Sequence, residues 1–405
     1  MKTFGIHRYL SYDVAVEALA LSFCIGAINV SLSDLFHFQL SSLHTAASMY
    51  LPLLLSLGIL LALNYQMGAP LLDARGLILL GFLCGFWLIN YFSEVGRMPS
   101  ASLSEYDGKR LWLFVQGVLL SSLIGLHVPR DTGRFTRCFL TSFGILSTMS
   151  SLLYLLTYRS AGTFVRLLGE RALGVGLVAC FGAASCLALL FLHIVGSRRL
   201  SGRLRVALVG AISIHAVAIA MSATRGAALS AMASMILFVW MTRRSKAVLP
   251  ILAFLILSFI GVIVFAKTYM PEATMRRLTM RQHGADLRYE LTITMLDLII
   301  ERPSGRVFGY GNTRLSMEYS HNAVLQYIGE AGLLQTAPVM LLLLYGAVRN
   351  LIRHRADVYV QALGLFGLPI LIESCSAGSA YESRFWFLVF FISCLRGKCV
   401  SAVPE

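Results

Sequence analysis

Charge is what this sequence has least of. Only 13% of its 405 residues are Asp, Glu, Lys or Arg, and acidic residues number 20 against 34 basic ones. Soluble domains are about a quarter charged, so a soluble globular chain is excluded. Apolar residues make up 57%, and mean hydropathy is +0.73. Runs long enough to cross a bilayer recur along the whole chain, the pattern of a polytopic membrane protein. No linker rich in Pro, Gly or Ser and no repeat of convincing period divides it, so one membrane domain over 1–405 is expected. The eight cysteines show no CxxC or Cys/His spacing. That leaves no motif for a disulfide framework or a metal centre. Most of them lie in apolar spans, where cysteine is a small hydrophobe. The N-terminal "MKTFGIHRYLSYD" is too polar for a cleaved signal, so the first span is expected to serve for insertion.

What is abundant is apolar span. Hydropathy places about twelve transmembrane helices of ~20 residues each. They fall near 13–32, 45–64, 75–93, 110–128, 138–157, 173–195, 204–221, 226–242, 247–266, 323–348, 357–376 and 383–396. With the N-terminus in the cytoplasm, the inner short loops hold eighteen Lys and Arg and the outer short loops eight. A further eight lie in one long outer segment, 267–320, and long loops are discounted in this comparison. Both termini are therefore expected inside. The basic balance then needs no nucleic acid, because cytoplasmic anchors facing anionic membrane lipid explain it. In this orientation "SATRG" (222–226), the long loop and "YSHN" (319–322) share the outer side.

The long loop contains a helical pattern at 286–301. Asp286, Glu290, Asp297 and Glu301 fall within about 60° of one another, a solvated acidic stripe. Leu287, Leu291, Met295, Leu298 and Ile299 form the opposite face, with Arg288 in its middle. The helix is amphipathic and expected to lie over the membrane domain with Arg288 inward, and Pro303 and Gly305 are expected to end it. An arginine on an apolar face can also snorkel to lipid headgroups. "FGYGN" (308–312) marks a tight turn. Arg225, in the short turn between the seventh and eighth spans, has the same two readings. Its functional one requires an anion, and a guanidinium fork suits paired phosphate oxygens.

At the mouth of the tenth span, Ser320 or Asn322 can cap a helix. The positive helix end disfavours imidazolium, so His321 is expected to be neutral, as a general base requires. An interfacial histidine with a capping role is the alternative. Asn322, Gln326 and Glu330 stand at i, i+4 and i+8, a polar strip running about 12 Å down the helix. His321 lies on the opposite side from Glu330, so a same-helix dyad is not expected. A glutamate facing lipid is costly, so Glu330 is expected to pair with another span or to face a wet cavity.

The ordered set "SATRGAALS", "GADLRYELTITMLDLIIERPSGRVFGYGN" and "HNAVLQYIGEAGLL" resembles the bacterial O-antigen ligase and polysaccharide polymerase superfamily, most strongly over 215–340. The resemblance implies an all-α, GT-C-like glycosyltransferase of the bacterial inner membrane, acting at the periplasmic face. It implies a donor glycan carried on undecaprenyl diphosphate, inversion at the anomeric carbon, and neither metal nor cofactor. By the same resemblance Arg225 and Arg288 hold the diphosphate and His321 takes the proton of the attacking hydroxyl. Asn322 and Glu330 support the site, and Arg384, in "AYESRFWF", is a further diphosphate candidate or an aromatic-belt neighbour. The acceptor is a lipid A–core sugar for a ligase, or a second carrier-linked glycan for a polymerase. The three-part motif favours the ligase; the short interval from Arg288 to His321 favours the polymerase. A lipid-linked glycan transporter is a more distant reading. It predicts charges at mid-depth, whereas these gather at the outer ends of spans.

Overall fold

The computed structural model describes residues 14–22, 24, 51, 54–63, 65, 74–95, 115–127, 132–160, 170–196, 201–222, 224–245, 248–269, 284–301, 303–309, 322–352 and 357–376. Every regular element among them is helical. In chain order these are α1 (14–22), α2 (Leu54–Leu63), α3 (Ala74–Val95), a π turn (Val115–Leu120) leading into α4 (Ser121–His127), α5 (Thr132–Ser160), α6 (Glu170–Val195), α7 (Gly202–Ser222), α8 (Arg225–Thr242), α9 (Val248–Tyr269), α10 (Gly284–Glu301), α11 (Pro303–Phe308), α12 (Ala323–Ala331), α13 (Leu333–Ile352) and α14 (Val358–Ser376).

Helices stand where hydropathy places spans from 75–93 through 247–266, and again at 357–376. Three stretches among the described residues are long and apolar enough to cross a membrane: Gly133–Leu156, Val175–Val195 and Gly202–Ser222. The described residues are all helical, with apolar helices of the kind that cross a membrane. The expected span at 383–396 lies outside the described residues. The expected span at 323–348 is not one helix: it divides at Gly332, whose φ of 79° ends α12 and lets α13 start afresh. The helix expected over 286–301 ends before Pro303 as expected, but Gly305 does not act as a stop. α10 ends at Glu301, but Pro303 opens α11 and Gly305 is buried inside it. Proline suits a first helical turn because its missing N–H has no partner there.

The chain forms two compact units, each drawn from separated segments. The first comprises 1–69, 131–280 and 357–369. At its centre is α6, 83% buried over its apolar window, against 44% for α5 and 33% for α7. The α6 sequence explains this. Ala179, Cys180, Ala183, Ala184, Ser185, Cys186 and Ala188 are all buried, and small residues let helices approach closely. Two glycines are required by the packing. A Cβ on Gly176 would stand 2.6 Å from Thr224 Oγ1, and one on Gly182 would collide with the His215 ring and Ser147. His215 is fully buried and bonds Thr148 Oγ1 at 3.1 Å and Ser151 Oγ at 3.0 Å. Phe366 of α14 meets Phe139 and Phe143 edge-on at 5.1 and 5.3 Å.

The second unit comprises 70–130, 281–356 and 370–405. It holds α3, α4, α10, α11, α12 and α13. The expected outer segment 267–320 and the region of resemblance each contribute to both units.

Candidate functional site

Construction starts at Asn322. Its backbone is extended, and its side-chain oxygen accepts from Val324 N at 3.0 Å and Leu325 N at 3.1 Å. Of the two expected caps, it is Asn322 that starts α12, satisfying two amides that a helix start leaves without partners. His321 is therefore the residue directly before the cap in sequence; it lies outside the described residues, as does Arg384.

Beyond the cap the polar strip is buried. Gln326 is 3% exposed and Glu330 only 1%. Glu330 Oε1 accepts from Gln326 Nε2 at 3.1 Å, and Oε2 accepts from the indole Nε1 of Trp87 at 2.7 Å. Glu330 thus pairs with another apolar helix, α3, as its cost in a lipid setting demands. Trp87 stacks on Tyr91 with ring centroids 5.2 Å apart. One turn below, the Tyr327 hydroxyl donates to Leu83 O. Gln335, at the start of α13, presents both ends of its amide to the α3 backbone. Its Nε2 donates to Leu83 O at 2.6 Å, and its Oε1 accepts from Phe86 N at 2.5 Å and Trp87 N at 3.3 Å.

The other face of α12 is apolar and receives α10. Met295 and Ile299 are buried there against Leu325 and Ile328. Asp297 and Glu301 are exposed, so this half of the amphipathic pattern behaves as its periodicity requires. Arg288 stands seven residues before Met295 and eleven before Ile299, in the same helical register. Arg225 is the first residue of α8, after the extended Thr224. It belongs to the first unit, whereas Arg288, Asn322 and Glu330 belong to the second.

Residues 209–340 match the family model described as O-antigen ligase. Over that segment, about a third of the chain, the sequence is similar to the O-antigen ligase family. The matched O-antigen ligase segment runs from α7 into α13 and includes Arg225, Arg288, His321, Asn322 and Glu330, while Arg384 falls beyond it. No curated protein and no solved structure matches the chain.

Sequence reasoning passed over four polar residues that hold α12: Trp87, Asn90, Tyr327 and Gln335. Asn90 and Gln335 interrupt apolar runs, which was their one available signal; Trp87 and Tyr327 read as part of the apolar pattern. It also treated "FGYG" as a bare turn. Gly309, in that motif, has φ 85° and lies against the turn at Gly332. A Cβ on either would collide with the other's neighbouring backbone: Glu330 O in one case, Val307 O in the other. Asn90 of α3 joins the two turns, with Nδ2 donating to Phe308 O at 2.7 Å and to Glu330 O at 2.8 Å.

Proposed function

We propose that this protein is an inverting glycosyltransferase of the bacterial inner membrane that moves a glycan from undecaprenyl diphosphate to an acceptor sugar hydroxyl at the periplasmic face. The family match supports the reaction class. The observation that supports the site is the packing of α10 on α12: Met295 and Ile299, seven and eleven residues after Arg288, are buried against Leu325 and Ile328 of the helix whose cap directly follows His321.

In this reading His321 takes the proton from the acceptor hydroxyl as its oxygen attacks the anomeric carbon. The bond from that carbon to the diphosphate oxygen breaks, and the leaving carrier diphosphate keeps the electron pair. Arg225 and Arg288 stabilise the negative charge that develops there, with Arg384 as a further candidate. Attack opposite the leaving group inverts configuration. Asn322 acts through the helix start it caps. Glu330, buried and held by Trp87 and Gln326, acts as a positioning residue for α12. The three-part motif favours a ligase with a lipid A–core acceptor. A polymerase using a second carrier-linked glycan is the alternative, favoured by the short stretch between Arg288 and His321.

Transfer by the purified full chain from undecaprenyl diphosphate-linked glycan, with each acceptor offered alone, tests this. Wild-type product is expected on lipid A–core, with turnover reduced about 10²–10⁴-fold in His321→Ala and about 10²–10³-fold in Arg288→Ala. Product only on the second carrier-linked glycan makes the enzyme a polymerase. Undiminished transfer by both variants overturns the site, and product on neither acceptor returns the transporter reading.

A further inference from the structure

We infer that Asn90 is a positioning residue for this transfer: its side-chain amide ties the arm that carries Arg288 to the helix whose cap follows His321. The inference rests on the proposed reading for its chemistry, but its geometry stands alone.

Two chain segments meet at Asn90. One is α10–α11, which ends in the carbonyl of Phe308 and the left-handed Gly309. The other is α12, which ends in the carbonyls of Glu330 and Ala331 before the left-handed Gly332. The last carbonyls of a helix have no partner within it and need one elsewhere. A single NH2 group has two protons, and Asn90 directs them to one carbonyl of each segment, 2.7 Å to Phe308 O and 2.8 Å to Glu330 O. The glycine pair makes the junction close. Each turn occupies the space a Cβ of the other would need, so the two backbones touch with no side chain between them. Gly309 N closes its own turn onto Gly305 O at 2.8 Å, and Gly332 N onto Ile328 O at 2.8 Å.

Among the described residues the junction stands beside another attachment between these segments. The other is the apolar contact of Met295 and Ile299 with Leu325 and Ile328. Apolar contacts are non-directional and tolerate sliding; hydrogen bonds to two carbonyls do not. Asn90 thereby sets the register of α10 on α12. Trp87, one turn earlier on α3, fixes the same end of α12 through the Glu330 carboxylate. A misplacement of about 1 Å at a reacting centre lowers rates roughly 100-fold. Losing Asn90 therefore acts on turnover more than on donor binding.

The test uses the full chain in lipid nanodiscs and counts turnover per donor-binding site, with undecaprenyl diphosphate-linked glycan as the titrant. Asn90→Ala is expected to lower kcat about 100-fold while the donor KM changes less than about threefold. Asn90→Asp, which turns a charged acceptor towards two carbonyl oxygens, is expected to do no better. Asn90→Gln keeps the donor pair and is expected to regain at least about tenfold over Asn90→Ala. Gly309→Ala, which separates the turns without touching Asn90, is expected to reproduce the kcat loss. A wild-type kcat per site in Asn90→Ala, or a raised KM at unchanged kcat, overturns the inference. A second measurement is independent of activity. Spin labels at Ile300 and Leu334, both exposed, report the separation of α10 and α13. A distance distribution that broadens in Asn90→Ala supports the clamp, and one identical to wild type overturns it. Absence of transfer by the wild type on any acceptor defeats the proposed function, while these distances still decide the clamp.

Discussion

The two units bury polar groups for different purposes. In the first, Ser222, Ser234 and Thr242 are buried and bond carbonyls three or four residues back in their own helices, Ile219 O, Ser230 O and Phe238 O, while buried His215 bonds Thr148 and Ser151 of α5. These groups satisfy themselves at low cost and let helices come close around the small residues of α6. In the second, the polar groups are larger and reach further: buried Glu330, Gln326, Gln335, Tyr327 and Trp87, and half-buried Asn90. They tie α12 and the start of α13 to α3, and Asn90 serves the carbonyls of Phe308 and Glu330 where two helices stop. Backbone carbonyls at a break cannot be left bare in an apolar setting, so a unit with breaks needs long polar side chains to serve them. The comparison teaches that the first unit is built for packing, and the second for holding short helices at fixed angles around a turn.

Substitutions can break this contrast, and the largest effect is expected at Gly332. Gly332→Ala puts a side chain at φ 79° and against Val307 O and the Gly309 backbone. Strain and overpacking together should cost about 3 kcal/mol or more, read as a lowered unfolding midpoint in detergent with transfer lost in parallel. Next comes His215→Ala in the first unit. It leaves a cavity and removes the partner of Ser151, at a cost of about 2–3 kcal/mol. If His215 only packs, the protein that remains folded keeps its turnover; a turnover loss per folded molecule would give His215 a role in the chemistry and blur the contrast.

Trp87→Phe should be smaller. It preserves a ring beside Tyr91 but removes the indole N–H from a buried carboxylate, costing about 1–3 kcal/mol by the same unfolding measurement. Because Glu330 belongs to α12, this variant is expected to lower turnover as well as stability, unlike His215→Ala. Arg134→Met should be smallest. Arg134 meets Glu17 at 2.7 Å, but both side chains are more than one third exposed, and solvent screening holds such a pair below about 1 kcal/mol.

How much was legible follows from how local each cause is. The position of most helices could be read because transfer of an apolar run into lipid depends on that run alone. The Asn322 cap could be read because its acceptor serves amides two and three residues away. So could the burial pattern of α10, where a period of 3.6 sorts Met295 and Ile299 from Asp297 and Glu301. The pairing of Glu330 was legible as a requirement but not as a partner. The break at Gly332 escaped, because glycine inside an apolar run is equally compatible with a continuous membrane helix. Gly305 misled for the opposite reason: a residue that often ends helices sits within one here.

The sequence by itself determined the helical membrane character, the cap at Asn322, the two faces of α10 and the need for Glu330 to find company. These rest on periodicity and on side-chain chemistry within a few residues. Only the tertiary structure decided that Gly309 and Gly332 lean on each other, and that Trp87 and Asn90 hold the end of α12. Asn90 reaches carbonyls 218 and 240 residues further along the chain. No local pattern encodes that distance. It arises because carbonyls freed at a helix break must be satisfied by whichever donor the fold carries to them.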